Sequence, residues 1–236
     1  MQLFYQNNLV NNTTCVLNEE ESRHITQVLR LKVDNTIQIT NGKGSLFTAR
    51  LIEIHHKKCV INVLNETLSP KAENFSLHLA IAPTKNMDRM EWFVEKAVEL
   101  GIDEITPVIC NRSERKEIKI DRLIKVAVAA MKQSLKFNLP QINEATTFEK
   151  FISLNGQNQG YICFGNAEPA NSLHSFSTNN QHNTFLIGPE GDFTPNEILK
   201  AAENGYKPIN LGPSRLRTET AALHVVSIVN FKKSLV

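Results

Sequence analysis

From Phe75 onward, apolar runs of strand length alternate with longer segments whose apolar residues recur at helical spacing. That alternation confines the region to an α/β domain with a largely parallel sheet, because parallel neighbours need long crossover connections and helices supply them. Strands are expected at 77–82, 104–109, 161–164, 185–187 and 209–211. Helices are expected at 87–100, 119–136, 195–204 and 220–232, with Gly101 and Gly205 placed to end the first and third.

The first seventy residues follow a different period. Asn18 ahead of Glu19, Glu20 and Glu21 is a helix start, and Ile25, Val28 and Leu29 share one side of a helix running to about Arg30. The segments 36–40, 46–54 and 60–64 alternate apolar and polar residues around the turn Asn41-Gly42-Lys43-Gly44, as a small antiparallel barrel or sheet does. The polar, proline-containing stretch 69–74 separates the two regimes and is the expected linker. Two domains, 1–70 and 71–236, are therefore expected.

With 41% hydrophobic and 21% charged residues, the 236-residue chain has the composition of a globular protein and enough length for two modest cores. Its longest apolar runs fall far short of the roughly 18–20 residues of a membrane span, and residues 1–8 carry no basic-then-apolar leader, so a cytoplasmic protein is expected. Cys15, Cys59, Cys110 and Cys163 are too widely spaced for a zinc motif or a compact disulfide framework; reduced thiols and no metal are expected. The seven histidines lack a partner visible in the sequence and read as structural.

A formal net charge of +2 argues for no partner, but its distribution does. Between Arg112 and Lys136 eight basic residues stand against three acids. On a helical wheel Ile120, Leu123, Ile124, Ala127, Met131 and Leu135 form one arc, and Arg122, Lys125, Lys132 and Lys136 the other. The cationic arc is either a solvated face or a surface for an anionic partner.

Two loops carry the chemistry. Ile187-Gly188-Pro189-Glu190-Gly191-Asp192 joins a strand to a helix opened by Thr194-Pro195-Asn196-Glu197, a capping box with proline at the first helical position. Leu211-Gly212-Pro213-Ser214-Arg215-Leu216-Arg217 again lies between strand and helix. Such loops form ligand sites in many α/β folds, yet neither fits a dinucleotide or triphosphate fingerprint. Arg217 either pairs with Glu219 or touches an RNA phosphate or base.

With Lys85, Arg89-Met90, the segment 96–102, Arg112-Ser113 and Gln133-Ser134, these loops and Thr218-Glu219-Thr220-Ala221 closely resemble the RsmE-type 16S rRNA uridine-N3 methyltransferases. These belong to the SPOUT, or trefoil-knot, class. Ser22-Arg23-His24-Ile25, Val28-Leu29-Arg30 and the Asn41–Gly44 turn resemble that family's PUA-like RNA-binding module. The resemblance covers essentially the whole chain. It implies a PUA-like β-barrel domain followed by a SPOUT-type, knotted, mostly parallel α/β sheet with helices on both faces.

It further implies S-adenosylmethionine as methyl donor, held by Ile187, Gly188, Pro189, Glu190, Gly191, Leu211, Gly212 and Leu216. Arg217 would stabilise charge on the uracil oxygens and Glu219, or a water it orients, would take the N3 proton. RNA contacts are expected from Arg23, His24, Arg30, Arg112, Arg115, Lys116, Lys125 and Lys132. The implied partners are 16S rRNA in the 30S subunit and a second copy of the chain, with the apolar stripe Ala222, Val225, Val226 and Val229 as an interface element. A ribose 2′-O-methyltransferase and a non-catalytic RNA-binding or ribosome-assembly protein are the competing readings. The two intact loops argue against the latter.

Overall fold

A computed structural model describes residues 2–68, 75–155, 159–165, 167–168, 171–173, 176 and 182–234. The expected linker at 69–74 and His174 lie outside the described residues. The chain divides into two compact units, and the division is not a single cut. Met1–Ala72 is joined by Val128–Leu139, while Glu73–Ala127 and Pro140–Val236 form the second unit.

In the first unit β1 (Leu3–Tyr5), β2 (Thr14–Val16), β3 (Thr36–Thr40), β4 (Ser45–Glu53) and β5 (Val60–Leu68) form one sheet in the order β1-β3-β4-β5-β2. Its pairings are antiparallel except for β1 on β3, which is parallel. Between β2 and β3 lie α1 (Glu19–Arg23), capped by the Asn18 side chain accepting from the Glu21 amide, and a π-helical turn, His24–Val28. The alternation read from the sequence places Ile37, Ile39, Phe47, Ala49, Leu51, Ile61 and Val63 on one buried face, closed by Phe4 and Ile25. The Asn41–Gly44 turn also serves as a dock within this unit. Gly44 N–H donates to Phe137 O (2.8 Å) and Leu139 N–H to Gly42 O (2.8 Å).

The second unit holds β6 (Ser76–Ile81), α2 (Met87–Leu100), β7 (Glu104–Ile109), the start of α3 (Ile120–Gln133), β8 (Gln141–Ile142), β9 (Thr146–Thr147) and α4 (Phe148–Asn155). It continues with β10 (Gln159–Cys163), β11 (His182–Ile187), α5 (Pro195–Glu203), β12 (Lys207–Ile209) and α6 (Thr218–Lys233). The strand order is β12-β10-β11-β6-β7-β8, with β9 also on β7, and every pairing is parallel. This is the α/β class expected of a SPOUT-type domain, preceded by the PUA-like sheet. Strand β6 lies between β11 and β7, and its residues 77–81 are all buried, as a central parallel strand requires.

Helix α2 has the expected bounds, set by the Asn86 cap on Asp88 N–H and the stop at Gly101. The capping box of α5 forms as expected from Thr194 and Glu197. Two expectations are corrected. Helix α3 ends at Gln133, because Leu135 adopts a left-handed φ of 54°, and Ile124 and Leu135 are exposed instead of packed. Ala222, Val225, Val226 and Val229 are 0% exposed within the single chain, packed where α6 meets α2 and the sheet, so that stripe is not available to a second copy.

Candidate cofactor and active site

Parallel strands leave their carboxyl ends free for ligands, and here three connections meet at that end. Residues 163–165 after β10, 187–192 after β11 and 210–218 after β12 line a cavity of about 750 Å³, together with Arg89 of α2 and Ala221 of α6. All eight positions expected to hold a cofactor are on its wall: Ile187, Gly188, Pro189, Glu190, Gly191, Leu211, Gly212 and Leu216.

Four glycines, Gly165, Gly188, Gly191 and Gly212, are on the wall. A Cβ at Gly188 would stand 3.1 Å from the Phe193 ring, so the ring would have to yield by a few tenths of an ångström to admit one. Gly188 O accepts from Thr218 Oγ1 (3.1 Å), which ties the start of α6 to the end of β11. Gly212 has φ +113° and a Cβ there would meet no atom within 4 Å, so its backbone borders open space. Its requirement for glycine is conformational.

Asp192 also occupies left-handed backbone, φ 60°. Its carboxylate accepts from Phe193 N–H (2.7 Å) and from Gly165 N–H (3.1 Å), fastening the connection after β10 to the one after β11. Glu190 accepts from Lys85 N–H (3.0 Å). Cys163, on the cavity wall but 5% exposed, has its thiol pushed well above the usual range by burial and by Asp192, which leaves it inert as a nucleophile.

Arg217 is exposed on the wall and its side chain makes no hydrogen bond or ion pair among the described residues, so the Arg217–Glu219 pairing does not form. Glu219 is not on the wall. In the first turn of α6 it is 6% exposed, with one oxygen 3.8 Å from Arg89 Nε and the other without a hydrogen-bond partner among the described residues. Arg89 is on the wall, so Glu219 lies one side chain back from the cavity.

The expected RNA contacts separate by environment. Arg23, His24 and Arg30 belong to the first unit; Arg23 pairs with Glu19, His24 sits edge-on to Phe4, and Arg30 is exposed. Lys116 and Lys125 are exposed and unpaired among the described residues. Arg115 donates twice to Lys85 O (3.1 and 2.9 Å), and Arg112 donates to Gly191 O (2.7 Å). Lys132 is no free cation, because its ammonium is 2.6 Å from Glu21, which is 3% exposed. Arg122 is likewise paired, with Glu91.

Arg89, Gly165, Asn210 and Arg215 are also on the wall, positions to which sequence reading gave no site role although Arg89 and Arg215 stand in the segments it singled out. Gly165 follows a strand and offered a third glycine signal. Arg89 sits on a helix far away in sequence and had no local one. His78 resolves as a core histidine, its Nε2 2.7 Å from Thr106 Oγ1 and 3.7 Å from Glu104; burial pushes its pKa down against the pull of Glu104.

A family model described as an RNA methyltransferase domain matches residues 71–230, and one described as an RNA methyltransferase PUA domain matches residues 17–64. Ribosomal RNA small subunit methyltransferase E of Rickettsia conorii is 29% identical, over 97% of this chain and 94% of that protein. The crystal structure of a probable rRNA-methyltransferase from Porphyromonas gingivalis is 33% identical with a TM-score of 0.90, covering 100% of this chain and 99% of that one. The Neisseria gonorrhoeae ribosomal RNA small subunit methyltransferase E, solved bound to S-adenosyl methionine, is 28% identical with a TM-score of 0.87, over 98% and 97% of the two chains.

Proposed function

The chain belongs to the RNA methyltransferase family, and from that premise we propose that it methylates N3 of a specific uridine in 16S rRNA of the small ribosomal subunit, using S-adenosylmethionine. The observation that carries this is the convergence of the eight cofactor positions and Arg217 on one cavity. About 750 Å³ lies within the range of small-molecule sites. Backbone at Gly188, Gly191 and Gly212 would hold the polar parts of the cofactor, and Ile187, Leu211 and Leu216 would cover its adenine.

S-adenosylmethionine supplies an electrophilic methyl group when bound. The chain supplies alignment and electrostatics. Uridine N3 lies on the pairing edge and carries a proton, so the base is taken unpaired and the proton leaves as negative charge spreads onto the uracil oxygens. Arg217, free on the wall, donates to those oxygens. Glu219 acts from behind by holding Arg89, and the proton passes to water.

RNA is held by Arg23, His24 and Arg30 of the PUA-like unit and by Arg115, Lys116 and Lys125. The protein works as a homodimer in the cytoplasm, in ribosome assembly. Exposed Trp92 and Phe231, on the mutually packed helices α2 and α6, support a subunit contact there, and no helix among the described residues is long and apolar enough to cross a membrane. The test is mass spectrometry of nucleosides from 30S particles of a deletion strain, before and after treatment with purified protein and S-adenosylmethionine. Appearance of 3-methyluridine at one site is expected. A 2′-O-methyl product, or none, overturns the assignment.

A further inference from the structure

Arg112 lies in the basic segment that the sequence marks for RNA, yet its side chain is engaged elsewhere. Nη1 donates to Gly191 O at 2.7 Å and lies 3.5 Å from Phe193 O. Its aliphatic stem lies flat on Gly191, where a Cβ would stand 3.3 Å from Arg112 Cδ and 3.4 Å from its Cβ. The backbone around Arg112 is itself anchored. Ser113 N–H donates to Cys110 O, Cys110 N–H to Ser113 Oγ, and Asn111 N–H to Glu197 Oε1 at 2.8 Å. Glu197 is 3% exposed and closes the capping box of α5 with its other oxygen.

Turn 110–113 is thus bolted to the start of α5 and reaches from there to the cofactor loop. A guanidinium on a fixed base, donating to the carbonyl of a cavity-lining glycine, sets where that peptide lies. We propose that Arg112 is a positioning residue for the cofactor loop 188–193, and that glycine at 191 lets the Arg112 stem lie against the loop without being crowded by a side chain. The inference rests on S-adenosylmethionine as the ligand of this cavity and adds the residue that shapes it.

Four single variants of the full chain and one double variant test this. Arg112→Met keeps the stem and removes the donor, Arg112→Lys restores one donor, and Gly191→Ala adds the crowding methyl. Calorimetric titration with S-adenosylmethionine should show Arg112→Met binding about fivefold more weakly, the worth of one hydrogen bond, with Arg112→Lys between it and the wild type. Gly191→Ala should weaken binding in the wild-type background and add little beside Arg112→Ala, a non-additivity that independent sites do not show. The salt dependence of RNA binding by Arg112→Met should keep the wild-type slope.

Amide exchange without ligand gives a separate readout. The N–H groups of Asp192 and Phe193, bonded to Pro189 O and Asp192 Oδ1, should exchange faster in Arg112→Met. Unchanged exchange and cofactor affinity, or a salt slope flattened by about one with cofactor affinity intact, would return Arg112 to the RNA surface and overturn the proposal. If exchange rises but the wild type binds no S-adenosylmethionine, the loop-positioning role stands and the cofactor assignment falls.

Discussion

Lys132→Met should destabilise the first unit without touching RNA affinity. Glu21 is 3% exposed; its Oε1 accepts from Lys132 Nζ at 2.6 Å and from Tyr5 N–H at 3.2 Å, and Oε2 has no hydrogen-bond partner among the described residues. Removing the ammonium leaves a buried carboxylate with one amide. Breaking a buried pair from one side costs about 3–5 kcal/mol, and the lower end applies because the Lys132 side chain retains 14% exposure through which water can reach the site. Met preserves the stem, so the loss is electrostatic.

The double variant Glu21→Gln, Lys132→Met should regain most of that stability, since no unpaired charge remains. Trp92 lies in the second unit, so fluorescence of the only tryptophan is the wrong probe. Amide exchange at Gly44 and Leu139, whose bonds close the dock for 137–139, reports the first unit directly. A Lys132→Met protein within about 0.5 kcal/mol of wild type, the range of an ordinary surface change, with a flattened salt slope for RNA, would refute the reasoning.

Gly188→Val should abolish S-adenosylmethionine binding in calorimetry, because its Cβ would already stand 3.1 Å from the Phe193 ring before any branching. Arg217→Ala should lower the single-turnover methylation rate about 10²–10³-fold with cofactor affinity unchanged, the scale of one lost stabilising donor. His78 should make stability fall on the acid side: burial holds its folded pKa below the unfolded value of about 6.5, so the unfolded chain takes the proton first as pH drops. Urea midpoints at about pH 5 and 7.5 should differ less in His78→Gln than in the wild type. Cys110 and Cys163, both pushed up by burial, should react with a thiol reagent only after unfolding, while half-exposed Cys15 reacts in the native state.

What the sequence made legible was local. Helix α2 is bracketed by Asn86 and Gly101, α5 by a capping box, and β6 carries Leu77, Leu79, Ala80 and Ile81 with one histidine among them, so each could be placed from its own residues. Both ligand loops were readable for the same reason, as glycines between strand and helix. Helix α4 and the two-residue strands β8 and β9 were missed because eight residues or fewer carry too little periodicity. The fates of Lys132, Arg112 and Glu219 are set by partners 111, 79 and 130 positions away in sequence. Periodicity assigns such a residue to a side of a helix, never to the element that faces it. The stretch 112–136 therefore read as one cationic surface, whereas in the fold Lys132 neutralises Glu21, Arg122 neutralises Glu91, and Arg112 and Arg115 hold backbone carbonyls.

The same accounting gives the charge that a substrate meets. Of the ionisable groups on the cavity wall, Glu190 and Asp192 are acids, and each already accepts from backbone amides: Lys85 N–H for the first, Gly165 and Phe193 N–H for the second. Arg89 stands beside Glu219. Arg215 and Arg217, both exposed, are left as cations with no side-chain hydrogen bond or ion pair among the described residues. Hydrogen bonds to a carboxylate disperse its charge locally, whereas an unpaired guanidinium keeps its full field and offers planar paired donors. The cavity wall thus combines four glycines with two exposed, unpaired guanidinium groups. For the function proposed above, Arg215 and Arg217 would then be the groups that draw a polyanionic strand to the site, and the donors of Arg217 would be open to an incoming base.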